Sequence, residues 1–212
     1  MCAAAQPYPP ASGGGDITDT KDEFRAMLRA ARQHATARQR AEAAAALAEV
    51  VSTLPGLDRA RCVAAYSARP SEPDTTAVLE MLAARGIEVL LPVLGAGLAR
   101  EWAAYAGPDD LVQRAPGRPP EPGTPSLGAE ALSRADLILA PALAVDTSGT
   151  RLGQGGGWYD RALQHARPGV PVIALVFPDE VYDATTRPLP RETHDRAVDM
   201  VATPEGWRPL PH

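Results

Sequence analysis

Between residues 19 and 31 the apolar positions recur with the period of an α-helix, Phe24, Met27, Leu28 and Ala31 falling on one stripe. Thr20, with Glu23 three residues later, has the form of a capping box and places the helix start there. A second face carries Lys21, Arg25, Arg29 and Arg32. Charged stripes of that kind are ordinarily solvated. A second helix, nearly all Ala with Leu47, Val50 and Val51, is predicted over 39–53. The pattern then alternates. Residues 61–66 read as a buried strand, 69–74 as a Pro-broken turn, and 75–85 as a helix stopped by Gly86. Apolar strands are predicted at 87–93 and 98–105, joined by the Gly95-Ala96-Gly97 turn, and again at 136–140, 171–177 and 198–202. Residues 106–128 read as a long ordered loop, 153–157 as a glycine loop and 158–166 as a helix.

Strand–helix–strand alternation with continuously apolar strands predicts an α/β fold, three αβα layers around a mostly parallel sheet. Residues 1–20, rich in Pro, Gly, Ala and Ser without period, predict a disordered tail, leaving 21–212 as a single domain.

Composition narrows this picture. Forty residues are Ala and ten are aromatic, so the core must rest on Leu, Val and Ile among small side chains. With 45% apolar and 22% charged residues the chain is not a fully disordered one. A net charge of −5 argues against general binding to nucleic acid or anionic membrane. No apolar run approaches the roughly 20 residues of a spanning helix, and the first residues lack a basic stretch leading into an apolar one, so no signal peptide is expected. Two cysteines, Cys2 and Cys62, offer neither a disulfide framework nor a metal cluster. A cytoplasmic monomer with no nucleic-acid or membrane partner is expected. Twenty of the 21 basic residues are Arg; the exception is Lys21. A compact ammonium at that place is something a planar guanidinium does not replace.

The densest chemical signal is the run Arg151-Leu152-Gly153-Gln154-Gly155-Gly156-Gly157-Trp158-Tyr159-Asp160. Glycines there expose backbone N–H groups that, with the positive end of the following helix, could cradle phosphate oxygens. The run lacks the Gly-Lys-Ser/Thr ending of a P-loop, and its glycine spacing does not fit the dinucleotide fingerprint. A tight turn or flexible linker is the alternative. No Ser/His/Asp or Cys/His set stands out among the four histidines.

The longer run from Pro141 through Val145-Asp146-Thr147-Ser148-Gly149-Thr150 and the glycine loop to Arg161 closely resembles the signature of 5-formyltetrahydrofolate cyclo-ligases, also called methenyltetrahydrofolate synthetases. Lys21 with Leu28-Arg29 and Arg32, Glu72 through Thr75, Trp102, Glu121-Pro122, His194-Asp195, Val198-Asp199 and Thr203-Pro204 fit the same family in order, so that the resemblance covers about residues 20–205. It implies a fold like the sugar-isomerase/CoA-transferase-like group. It also implies an ATP- and Mg²⁺-dependent closure of 5-formyltetrahydrofolate to 5,10-methenyltetrahydrofolate through a phosphorylated formyl group.

By the same resemblance Lys21, Arg25 and Arg151, with Leu152, Gly153, Gln154, Gly155, Gly156, Gly157, Trp158 and Tyr159, would hold ATP. Ser67 and Glu72, with Gln154 to Trp158, would hold the folate. Asp160 and Asp195 would bind Mg²⁺, and Lys21, Arg151 and Asp160 would act in catalysis. Many relatives carry Lys or a small residue where this chain has Gly156. Trp102, Tyr105 and Trp158 are candidates for an apolar pterin wall. A relative acting on another amide-like substrate, or a folate- or nucleotide-binding protein without turnover, is the alternative.

Overall fold

The structure, a computed structural model, describes residues 6–9, 16–95, 99–192 and 195–211. The rest of the expected tail, Cys2, most of the turn after Gly95, Leu98 and His194 lie outside the described residues. In chain order the helices are α1 (Ile17–Arg32), α2 (Ala37–Ser52), α3 (Thr76–Ala84) and α4 (Trp158–Ala162). The strands are β1 (Cys62–Ala64), β2 (Glu88–Leu94), β3 (Arg100–Ala104), β4 (Leu111–Val112), β5 (Glu121–Pro122), β6 (Leu137–Pro141), β7 (Ala144–Asp146), β8 (Arg151–Leu152), β9 (Val172–Leu175), β10 (Val181–Tyr182), β11 (Met200–Thr203) and β12 (Gly206–Pro209).

Among the described residues a seven-stranded sheet runs in the order β12-β11-β9-β6-β1-β2-β3. The inner strands are parallel, with Val63 opposite both Val89 and Leu137, while β3 and β12 close the two edges antiparallel. Helices flank this sheet, as the alternation of the sequence predicts: α2 and α3 pack together, α2 against β11 and β12 and α3 against β2, and α4 packs against β3. The core is Leu, Val, Ile and Ala from these strands with α2 and α3, and Trp102 is its largest fully buried side chain. Cys62 lies inside it, and burial pushes its thiol up to about 12, so it stays a neutral, inert group.

From β1 the chain moves outward to β2 and β3, then returns to the other side of β1 with β6, β9 and β11. That reversal between β1 and β6 opens a crevice at the carboxyl ends of the parallel strands.

Three expectations need correction. The helix α1 starts at Ile17, because the Asp16 carboxylate accepts the Thr18 N–H at 3.2 Å and caps it; Thr20 lies inside the first turn and bonds back to the Asp16 carbonyl. The segment before it is not wholly without contacts: Tyr8 stands edge-on to Phe24 at 5.4 Å, and Tyr182 donates to the Pro7 carbonyl at 2.6 Å. The helix after the glycine loop has five residues, not nine, before tightening into a 3₁₀ turn at Leu163–His165. A helix that short contributes little macrodipole, so anion binding there must rest on N–H groups and side chains.

A second, three-stranded sheet, β10-β7-β8, holds the chain that leads into the glycine loop. Phe24 and Leu28 of α1 pack on it with Leu143, Leu152 and Tyr182.

Candidate active site

A cavity of about 410 Å³ lies at the predicted crevice, with Tyr66, Pro92 and Pro141 at the carboxyl ends of β1, β2 and β6 on its wall. The small sheet positions its floor. Buried Asp146 accepts the N–H groups of Ser148 and Thr150 with one carboxylate oxygen and that of Leu189 with the other, closing the turn between β7 and β8. Strand β8 then delivers Arg151 and Leu152, and residues 153–157 pass along the cavity to α4.

The loop needs glycine unequally. Gly155 and Gly157 have φ of +101° and +56°, which disfavour a side chain. At Gly153 a Cβ would meet the Arg151 guanidinium at 2.8 Å. At Gly156 it would meet nothing within 4 Å, in keeping with the residue variety that the family resemblance implies there.

Helix α1 grips this loop from the other side. Arg25 Nε donates to the Gly153 carbonyl at 3.0 Å, and Arg29 donates to the Gln154 carbonyl at 2.8 Å and to its side-chain Oε1 at 3.2 Å. With its oxygen so engaged, the Gln154 amide turns its Nε2 to Glu72, 3.0 Å away. The other Glu72 oxygen accepts the Arg69 N–H at 2.9 Å, so the carboxylate is fixed from two directions while 6% exposed. The basic stripe of α1 is therefore only partly solvated: Arg29 is exposed and Arg25 half-buried, but Lys21 and Arg32 are buried, and Arg32 lies deeper, bidentate to Glu180.

Lys21 lines the cavity with its ammonium 2.5 Å from Glu192 and 2.6 Å from Asp195. Burial alone would lower its pKa, but the hydrogen bonds and charge of the two carboxylates outweigh that and raise it. Arg151 is bound to Asp160 at 2.7 Å, reaches the Pro141 carbonyl at 3.3 Å and lies over the Tyr159 ring. Its buried Nε has no partner among the described residues. Tyr66 and Tyr159 are held well above the ordinary phenol range by burial and by the Glu72 charge, which leaves them neutral donors and not bases.

The cavity thus gathers Lys21, Arg25, Glu72, Arg151 to Asp160, and Asp195 in its lining. Ser67 is buried but outside that lining. Trp102 and Tyr105 are likewise outside it: Trp102 packs edge-on behind Trp158 at 5.2 Å and supports it, and Tyr105 packs on the core. Tyr66, Arg69, Arg118 and Glu192 also line the cavity and were not found by sequence reasoning. Tyr66 ends a segment read as a buried strand and the other three sit on aperiodic segments, so only their closeness in space marks them.

The model of the 5-formyltetrahydrofolate cyclo-ligase family matches residues 17–204, spanning nearly all the elements just described. The chain belongs to that family. A 5-formyltetrahydrofolate cyclo-ligase of Mycolicibacterium smegmatis is 45% identical over 150 residues, covering 68% of this chain and 74% of its own. One from Escherichia coli is 34% identical over 141 residues, covering 66% and 77%. Among solved structures, the 5,10-methenyltetrahydrofolate synthetase of Aquifex aeolicus superposes with a TM-score of 0.75 at 25% identity, covering 91% of this chain and 93% of its own. The fold expected from the sequence is thereby established, and this cyclo-ligase family member is an enzyme whose candidate active site is the cavity at the strand switch.

Proposed function

We propose that the protein closes 5-formyltetrahydrofolate to 5,10-methenyltetrahydrofolate with conversion of ATP to ADP and phosphate. The observation that carries the reading is that one cavity combines a phosphate-type and a pterin-type lining. Arg151, Lys21 and the loop N–H groups make the first; the oriented Glu72 and the Trp158 ring make the second.

In this reaction the formyl oxygen bonds to the γ-phosphorus as ADP leaves, giving an iminium phosphate. The folate N-10 then attacks the formyl carbon and loses its proton as the carbon–oxygen bond breaks and phosphate departs. No nucleophile from the chain is needed. The protein's task is to place oxygen against phosphorus and to neutralise charge. Glu72 accepts hydrogen bonds from pterin N–H groups. Arg151 and Lys21 take phosphate oxygens in exchange for their carboxylates, and Arg25 holds the loop that donates its N–H groups.

Asp160 and Asp195 are the residues that would hold Mg²⁺. Among the described residues no cluster of three or more ligating side chains forms a cage. Two carboxylates lining one cavity fit an ion that keeps its waters and takes phosphate oxygens, arriving with the nucleotide. When bound, that ion supplies further positive charge to the transferring phosphoryl group. The reading carries with it a cytoplasmic monomer acting on small molecules, its domain formed by residues 21–212 together with the first turn of α1 from Ile17.

Phosphate release tests the proposal. It is expected only when ATP, Mg²⁺ and 5-formyltetrahydrofolate are all present, and Asp160→Asn and Asp195→Asn, in protein that is still folded, each raise the Mg²⁺ required. Release that requires a different acceptor indicates the related enzyme, and no release under any condition indicates a binding protein.

A further inference from the structure

The charges lining the cavity are nearly all matched. Arg151 holds Asp160, Lys21 holds Glu192 and Asp195, Arg25 holds Asp22 at 2.6 Å, and Arg114 reaches Glu121 at 3.3 Å. Two cations remain. Arg69 and Arg118 both line the cavity, both are exposed, and neither is in an ion pair among the described residues.

Their backbones are anchored while their heads are not. The Arg69 N–H donates to the Glu72 carboxylate and its carbonyl accepts the Glu72 N–H, each at 2.9 Å. The Arg118 carbonyl accepts from Gln113 at 3.0 Å, and each arginine is followed by a proline, Pro70 and Pro119, which stiffens the chain. Arg69 shares the turn of Glu72, the residue proposed above to hold the pterin.

We propose that Arg69 and Arg118 form a carboxylate-binding subsite for the glutamyl tail of the folate. This rests on the cyclo-ligase reading. A folate whose pterin is held by Glu72 must lead its tail toward solvent, and the tail is anionic. A guanidinium fork matches a carboxylate in shape as well as charge. Each exposed pair is weak alone and screened by salt, so the two together are needed and their effect fades as ionic strength rises.

The test compares 5-formyltetrahydrofolate with 5-formyltetrahydropteroate, the same molecule without glutamate, on wild type and on the Arg69→Gln/Arg118→Gln double variant. Both positions are exposed, and equal melting temperatures establish that the variant is folded. The double substitution is expected to raise KM for the glutamylated substrate about five- to tenfold at low salt. It should leave kcat, the KM for ATP and the KM for the pteroate within about twofold, and added salt should erase the difference. An unchanged KM for the glutamylated substrate overturns the subsite. So does an equal loss with the pteroate, which ends in its own benzoate carboxylate and would place the arginines on the pteroyl part and not on the glutamyl tail, and so does a rise confined to ATP, which would place them on phosphate. A wild-type protein that turns over neither folate overturns the activity itself, and the subsite with it.

Discussion

Lys21 is 5% exposed and shared by two carboxylates, so replacing it also costs stability, and its part in catalysis is read from the kinetics of the folded variant. Lys21→Met is expected to cut ATP-dependent turnover by about 1.5–3 kcal/mol, the worth of a charged phosphate contact. Lys21→Arg should not restore it, since a planar head cannot stand between Glu192 and Asp195 as a compact ammonium does. Steady-state kinetics against ATP check this, and unchanged ATP parameters in both variants would assign Lys21 to structure alone. For Glu72→Gln the expected deficit is in the other substrate. One glutamine oxygen cannot accept from the Arg69 N–H, the Gln154 amide and a pterin as two carboxylate oxygens can. KM for the folate should rise and KM for ATP stay; the reverse pattern would show that this turn faces the nucleotide. Both residues were legible in the sequence because a lone lysine and a family motif mark them. Arg29 was visible in a stripe and in the family's Leu-Arg pair, but its hold on Gln154 depends on a loop 125 residues away.

At the scale of elements, the helices were legible because their apolar periods are long, and the inner strands because they are continuously apolar. Strands β7, β8 and β10 have two or three residues each, too short to show any period, so the sheet that carries the glycine loop had no signature in its pattern. The start of α1 moved because Asp16 and Thr20 are both good capping residues, and only the fold decides which meets an open N–H. A glycine substitution tests this layer. Gly149 has φ +84° and a Cβ there would lie 2.8 Å from the Val198 carbonyl oxygen, at a place where the Val198 N–H donates to the Gly149 carbonyl. Gly149→Ala should destabilise the protein by about 2–3 kcal/mol through strain and clash. Gly156→Ala, with open space and no positive φ, should stay within about 0.5 kcal/mol. Denaturant melts of the two variants check the contrast, and equal stabilities would contradict the backbone drawn here.

On the scale of the whole molecule, the sheet order sets the place of the chemistry. The chain reverses between β1 and β6, and the cavity opens at the carboxyl ends of those strands. The glycine loop and α1 then close over it from the small sheet. What the sequence could not convey is the pairing of charges across that space, since Lys21 and Asp195 meet from opposite ends of the chain. The central claim is the ring closure itself, and the near-ultraviolet absorbance of the methenyl product tests it most directly. Folded protein incubated with ATP, Mg²⁺ and 5-formyltetrahydrofolate is expected to develop that band, and omission of ATP to abolish it. Absence of the band with all components present would contradict the account.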